Sequence, residues 1–141
     1  MNKKKEIVWS DKFISSNEEI NNYHKEIIDS ITNLYKMLDD TAKHKEEISK
    51  ITQKIENAMY EHMDKEIEYL KKFDLPEWIV HEENHNYYKK ELEFYKHYKV
   101  SIIIRAVITA EIANHYLKNH FFQFDIKDIN LINKKLNKNK K

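Results

Sequence analysis

The chain has 141 residues, a length that suits one domain with a single hydrophobic core. It contains no Gly, one Pro and no Cys, which disfavours hairpin-rich β folds and excludes disulfides, iron–sulfur clusters and thiolate metal sites. Its 25 Lys and Arg residues nearly balance its 24 Asp and Glu residues, so no general electrostatic field would attract nucleic acid.

The first predicted elements are an arm and a helix. Residues 1–15 show no helical period and predict an N-terminal arm anchored by Trp9 and Phe13. Ser16 and Glu19 then form the pattern of a capping box, which marks a helix start. Steps of three and four residues follow, and they define one face of a first helix: Ile20, His24, Ile27, Ile31, Leu34 and Leu38.

Two further helices are predicted on either side of a clear boundary. Asp39, Asp40 and Thr41 offer a turn and N-caps for the second helix. The boundary between the second and third helices is residues 74–77, where Asp74 could cap the third helix and Pro76 fits its first turn. The second inward face is Ile48, Ile51, Ile55, Ala58, His62, Glu66, Tyr69 and Phe73, and the third is Trp78, His81, His85, Tyr88, Leu92 and Tyr95.

A fourth helix is predicted to begin near Ser101, and its pattern fades after Phe121. Asp125 or Asp128 could cap a short terminal helix in residues 126–141. The inward face of the fourth helix is Ile103, Ala106, Ala110, Ala113, Leu117, His120 and Phe124. We therefore expect one all-α domain over residues 1–141, an up-down-up-down four-helix bundle with an N-terminal arm and a short C-terminal helix or tail.

No membrane segment or signal peptide is expected. The most apolar stretch, residues 101–110, is short and is interrupted by Arg105. The apolar run after the N-terminal lysines is only Ile7–Trp9. The sequence favours a cytoplasmic protein without nucleic acid or membrane partners, as a monomer or a weak homo-oligomer.

Seven residues have the types and spacing of a metal site. A single histidine is followed by the patterns His-x-x-x-Glu, His-x-x-x-His and His-x-x-x-x-Asp. In chain order the seven residues are His24, His62, Glu66, His81, His85, His120 and Asp125. Each pattern alone is common on helix surfaces. The five histidines, however, lie on apolar faces, where an unpartnered polar group costs about 1–3 kcal/mol. The remaining histidines (His44, His97 and His115) lie off these faces and are expected at the surface.

The ligand types restrict the metal. Imidazole with carboxylate suits iron, manganese or zinc, and the lack of thiolate disfavours Cu(I) and structural zinc. Seven side-chain ligands exceed what one ion accepts, so two ions bridged by carboxylates fit better. A ferritin-type site would need two Glu-x-x-His motifs. The chain offers one well-placed match, Glu82 to His85, which makes that alternative weak.

The chain resembles the hemerythrin family, in its single-domain bacterial form. The matching segments are 23–28, 31–34, 60–66, 80–85 and 116–125, and the arm bearing Trp9 is also typical. All seven ligand positions hold the expected residue type. Two positions depart from the family pattern: Asn21 stands where Asp is frequent, and Tyr116 stands where Trp is usual.

The resemblance implies a division of the ligands between two iron ions. His81, His85 and His120 would bind one iron, and His24 and His62 the other. Glu66 and Asp125 would bridge the two beside an oxo or hydroxo group. The second iron would keep an open position, where O₂ binds reversibly. We expect an apolar pocket beside it, lined by Ile27, Ile28 and Leu117.

Reversible O₂ binding for storage, delivery or scavenging is the leading functional hypothesis. A sensor of O₂, redox state or nitric oxide that acts through a separate protein partner is one alternative. A di-iron enzyme or iron-handling protein, with peroxide or ferroxidase chemistry, is another. The sensor is less favoured because no signalling domain fits beside this one within 141 residues. The enzyme is less favoured because no additional acid–base residue is evident on the inward faces, and we expect a binding protein rather than an enzyme.

Overall fold

Helices make up the regular structure of the described residues. The computed structural model describes residues 18–74, 76–97, 100–125, 127–128, 131–132 and 134, and no strand occurs in these ranges. The expectation of an all-α fold is confirmed. The predicted arm, with Trp9 and Phe13, and the capping residue Ser16 lie outside the described residues, as does most of the segment 126–141.

Three helices have 20 residues or more, and a shorter fourth is extended by a π-helix. The α-helices are α1 (Glu18–Met37), α2 (Thr41–Lys72), α3 (Trp78–His97) and α4 (Ile102–His115). The π-helix Tyr116–Asp125 follows α4 directly, and a 3-10 turn, Leu38–Asp40, joins α1 to α2. α2, at 32 residues, packs against α1, α3 and α4.

The helix ends agree with their local sequence. Asp40 caps α2 by accepting a hydrogen bond from the Lys43 N–H, and Ser101 caps α4 by accepting from the Ile104 N–H. Asp74 has a φ of 53°, and its N–H donates to the Lys71 carbonyl. This left-handed position commonly takes Gly, but the chain has none and Asp is among the residues that tolerate it. Asp74 thus closes α2, where the sequence suggested a cap for α3.

The main core lies between the predicted inward faces. Its residues come from α1, α2, α3, α4 and the start of the π-helix, and they include Ile27, Ile55, Leu92 and Ala110. The helical periodicity therefore located the core correctly. α2 buries a wider face than predicted, including Met59, Met63 and Leu70, because it packs against three helices.

A second small apolar cluster lies at the α2–α3 connection. Ile67 and Leu70 of α2 pack there with Ile132, and Phe73 and Trp78 lie partly buried against them. The helical residues near Ile132 thus return to this end of the molecule. Among the described residues, no helix has the length and apolar character required to cross a membrane.

Candidate metal centre

Six of the seven predicted ligands meet in the interior of the molecule. Each is at most 1% exposed, and they come from α1, α2, α3 and the π-helix: His24, His62, Glu66, His81, His85 and His120. Each lies on the inward face of its helix at the position that the three-and-four spacing predicted. The seventh, Asp125, ends the π-helix, and its side chain lies outside the described part of the structure.

Three histidines converge through their Nε2 atoms. The Nε2 of His120 lies 2.9 Å from the Nε2 of His85 and 2.9 Å from the Nε2 of His81. The Oε2 atom of Glu66 approaches the same point, 3.1 Å from the Nε2 of His81. These four side chains offer donor atoms that all lie within 4.8 Å of one another, which is a suitable ligand cluster for one metal ion. We call it the three-histidine group.

Two histidines form a second cluster around the other oxygen of Glu66. The Oε1 atom of Glu66 lies 3.1 Å from the Nε2 of His62 and 3.6 Å from the Nε2 of His24. This set is again a possible ligand cluster for one ion. We call it the two-histidine group. Glu66 therefore belongs to both groups, with one carboxylate oxygen facing each.

Hydrogen bonds at the far side of the rings fix the tautomers of three histidines. The Nδ1 of His62 lies 3.2 Å from the Ala58 carbonyl oxygen, and the Nδ1 of His81 lies 2.9 Å from Oδ2 of Asp128. The Nδ1 of His120 contacts Oδ1 of Asn84. All three partners are acceptors, so each Nδ1 carries the hydrogen and each neutral ring presents a lone pair at Nε2.

This arrangement concentrates lone pairs at the centre. The Nε2 lone pairs of His81 and His120 face each other at 2.9 Å, and a carboxylate oxygen lies beside them. Lone pairs at this distance repel unless a proton or a cation lies between them. Since the side chains are excluded from water, a bound cation relieves the repulsion and satisfies all of them together. The donor set therefore fits a pair of metal ions.

Three further residues, which the sequence did not assign to the centre, contact its ligands. Asp128 and Asn84 orient His81 and His120, which is the usual role of groups behind metal-binding histidines. Tyr116 places its hydroxyl 2.5 Å from the Nε2 of His62 and donates to Oε1 of Glu66 at 3.3 Å. The sequence offered one signal for Tyr116, its place one turn before His120. No periodicity signalled Asp128, which lies beyond the fourth predicted helix.

The other predicted residues fall as follows. Ile27, Ile28 and Leu117 are fully buried in the main core, and their role as lining of a gas pocket stays a prediction. His115 is exposed, in agreement with the sequence, and its Nδ1 lies 3.0 Å from the hydroxyl of Tyr88. His44 is half-buried near Glu47, and the side chain of His97 lies outside the described part.

Two tyrosines, Tyr60 on α2 and Tyr88 on α3, have a raised pKa. Burial, and then the neighbouring Tyr87, raises the pKa of Tyr88 to about 12. Burial also raises the pKa of Tyr60, with a further contribution from its hydrogen bond to Glu93 at 2.7 Å. Both phenols therefore remain protonated at neutral pH.

Comparison with known proteins adds no assignment. No family model matches the chain, and neither a curated protein nor a solved structure matches it at a significant level.

Proposed function

We propose that this protein binds O₂ reversibly at a pair of iron ions, as a member of the hemerythrin family. The position of Glu66 is the observation that carries the proposal. One of its oxygens lies 3.1 Å from the Nε2 of His62, and the other lies 3.1 Å from the Nε2 of His81. A carboxylate shared in this way between two buried histidine groups is suited to bridging two ions.

The proposed architecture is an up-down-up-down four-helix bundle. Short connections between consecutive helices and the packing of α2 against α1, α3 and α4 support it. In such bundles, cofactor sites are built from side chains on facing helices. The bundle would hold the metal pair in its core, away from bulk water.

The ligand set is unequal, and that inequality matters for function. His81, His85 and His120 would hold the first iron, and His24 and His62 the second, with Glu66 between them and Asp125 as a second proposed bridge. A metal site with fewer protein ligands keeps a position for an exogenous ligand. When bound, the two irons supply the electrons that O₂ accepts.

The protein side chains contribute orientation and exclusion of water. The acceptors behind His62, His81 and His120 keep each Nε2 directed at the centre. In the proposed pocket, Ile27, Ile28 and Leu117 would keep water and protons from the bound gas. These residues are fully buried.

The decisive experiment is a cycle of air and argon. Protein loaded with Fe(II) under argon should take up two iron ions per chain. Exposure to air should produce a visible charge-transfer band, and return to argon should remove it over repeated cycles. The Glu61→Gln variant changes an exposed carboxylate on α2 and is the matched control, which should cycle as the wild type does.

Two results would contradict the proposal. Irreversible conversion to a ferric form within the first cycle would exclude reversible O₂ binding. Failure to bind a second metal ion would exclude the shared role of Glu66.

A further inference from the structure

We infer that the hydroxyl of Tyr116 donates a hydrogen bond to a small anionic ligand held at the two-histidine group. This inference rests on the proposed function and deepens it, since it names the side chain that selects and stabilises the exogenous ligand. Anions such as azide are the chemical class expected there. Reduced forms of O₂ would belong to the same class.

The distances place the hydroxyl among the ligand atoms of the two-histidine group. It lies 2.5 Å from the Nε2 of His62 and 3.3 Å from Oε1 of Glu66. These two atoms, with the Nε2 of His24, surround the proposed second ion. A hydroxyl so close to two ligands of one ion is also close to any further ligand on that side.

The ring of Tyr116 is held in a fixed orientation. It stacks on the ring of His120, with centroids 4.5 Å apart and planes at 18°, and it meets the ring of His62 edge-on at 5.0 Å. The residue is fully buried. The hydroxyl is therefore positioned in advance, so little conformational entropy is lost when it donates to a ligand.

Metal binding would redirect the hydrogen of this hydroxyl. The Nε2 of His62 is the nearer acceptor of this hydrogen. When Nε2 binds a metal ion, its lone pair can no longer accept a hydrogen bond. Oε1 of Glu66 is the other acceptor, and it too would be a ligand. An anion at the open position then becomes the best acceptor, because hydrogen bonds to charged groups are stronger and burial strengthens them further.

Among the described residues, Tyr88 is the other buried tyrosine beside the centre, and its hydroxyl is placed differently. Its ring packs edge-on against Tyr116 at 5.0 Å, but its hydroxyl lies 3.0 Å from the Nδ1 of His115, at the surface. The geometry thus assigns the donor role to Tyr116.

Azide binding to the ferric form tests the inference. In Tyr116→Phe, which keeps the ring, azide should bind about tenfold to hundredfold more weakly, the loss expected for one hydrogen bond to a charged group. The iron content should stay at two ions per chain, and the O₂ concentration for half-saturation should rise. Tyr87→Phe removes a hydroxyl from an exposed residue on α3 and should bind azide as the wild type does.

A second measurement uses the unaltered protein, so the test does not depend on the folding of the variant. The vibrational frequency of bound azide should shift between H₂O and D₂O, because the donated hydrogen exchanges. Absence of this shift, or an unchanged azide Kd in Tyr116→Phe, would overturn the inference. A phenolate-to-iron charge-transfer band that is present in the wild type and absent in Tyr116→Phe would also overturn the inference. Tyr116 would then be a ligand of the iron. These failures leave reversible O₂ cycling intact and so differ from failure of the proposed function.

Discussion

At the scale of single residues, Glu66 joins two histidine groups into one centre. Its carboxylate can bridge two cations because each oxygen carries lone pairs and shares the negative charge. In Glu66→Gln the amide is neutral, and one of its two ends is an N–H₂ donor that cannot bind a metal ion. We expect iron content to fall from two ions per chain to one or fewer, measured by elemental analysis after anaerobic loading.

The control for this change is Glu61→Gln, an exposed position on the same helix. It should retain the full iron content and the wild-type spectrum. Two tightly held irons in Glu66→Gln would show that Glu66 is not needed as a bridge.

Asp128 acts on the centre through His81. Its Oδ2 accepts from Nδ1 of His81 at 2.9 Å, and the residue is 3% exposed. In Asp128→Asn the negative charge is lost and the ring is less firmly oriented, so metal affinity should fall about tenfold to hundredfold. Competition with a coloured chelator measures the change. Asp64→Asn, an exposed residue paired with Lys89, should leave the affinity unaltered, and equal affinities in both variants would refute the role of Asp128.

Tyr88 gives the molecule a sensitivity to alkaline pH. Burial raises its pKa from 10.0 to about 12, so the folded state holds the phenol proton more tightly than the unfolded state does. The associated stability is complete below pH 10 and is lost as the pH rises towards 12. Tyr88→Phe lacks this ionisation.

Urea unfolding of the wild type and Tyr88→Phe at about pH 9 and about pH 12 tests the direction of this change in the free energy of unfolding. The wild type should lose stability relative to the variant at the higher pH. A difference between the two proteins that does not change with pH would contradict the prediction.

At the scale of elements, a buried ion pair links α2 to α4. Arg105 donates to both oxygens of Glu56 at 3.1 and 2.7 Å, and Glu56 is only 4% exposed. Arg105→Met leaves that carboxylate without its cation. Because Arg105 is partly exposed, we expect a loss of about 2 kcal/mol rather than the full cost of breaking a buried pair.

Lys54→Met provides the comparison for this pair. Lys54 forms a surface contact of 3.9 Å with Glu26, and its loss should change the free energy of unfolding by less than about 0.5 kcal/mol. Denaturant unfolding measures both variants, and the iron content of both should remain at the wild-type level. Equal stability of Arg105→Met and the wild type would show that the pair does not hold α4 against α2.

Element positions were largely predictable, but helix type was not. The inward faces follow from spacings of three and four residues, which place Ile27, His62 and Ala110 where they are found. The π-helix has no such signature in the sequence. In a π-helix the hydrogen bonds run from i to i+5, so backbone positions five residues apart, such as 120 and 125, lie more nearly on the same side than they would in an α-helix. Asp74 was misassigned because Asp serves both as an N-cap and in the left-handed conformation.

At the scale of the whole molecule, the gathering of six ligands was predictable and their supporting contacts were not. Polar residues on apolar faces of consecutive helices are expected to meet, because a buried polar group that lacks a hydrogen-bond partner costs free energy. The contact of Asp128 with His81 depends instead on residues beyond the π-helix returning to the α2–α3 end. That return is a tertiary effect.

Stability of the whole molecule should depend on metal and pH together. Metal ions that bind only the folded chain raise its stability by mass action. Histidine must be neutral to bind, so iron should leave as the pH falls below about 6.5, the usual pKa of its side chain. Acid should therefore destabilise the iron-loaded protein more than the metal-free protein.

The difference in Tm between Fe(II)-loaded and chelator-treated protein, measured under argon, should be large at neutral pH and should vanish in acid. Retention of both irons at strongly acid pH, or equal Tm values at neutral pH, would contradict a histidine-rich centre.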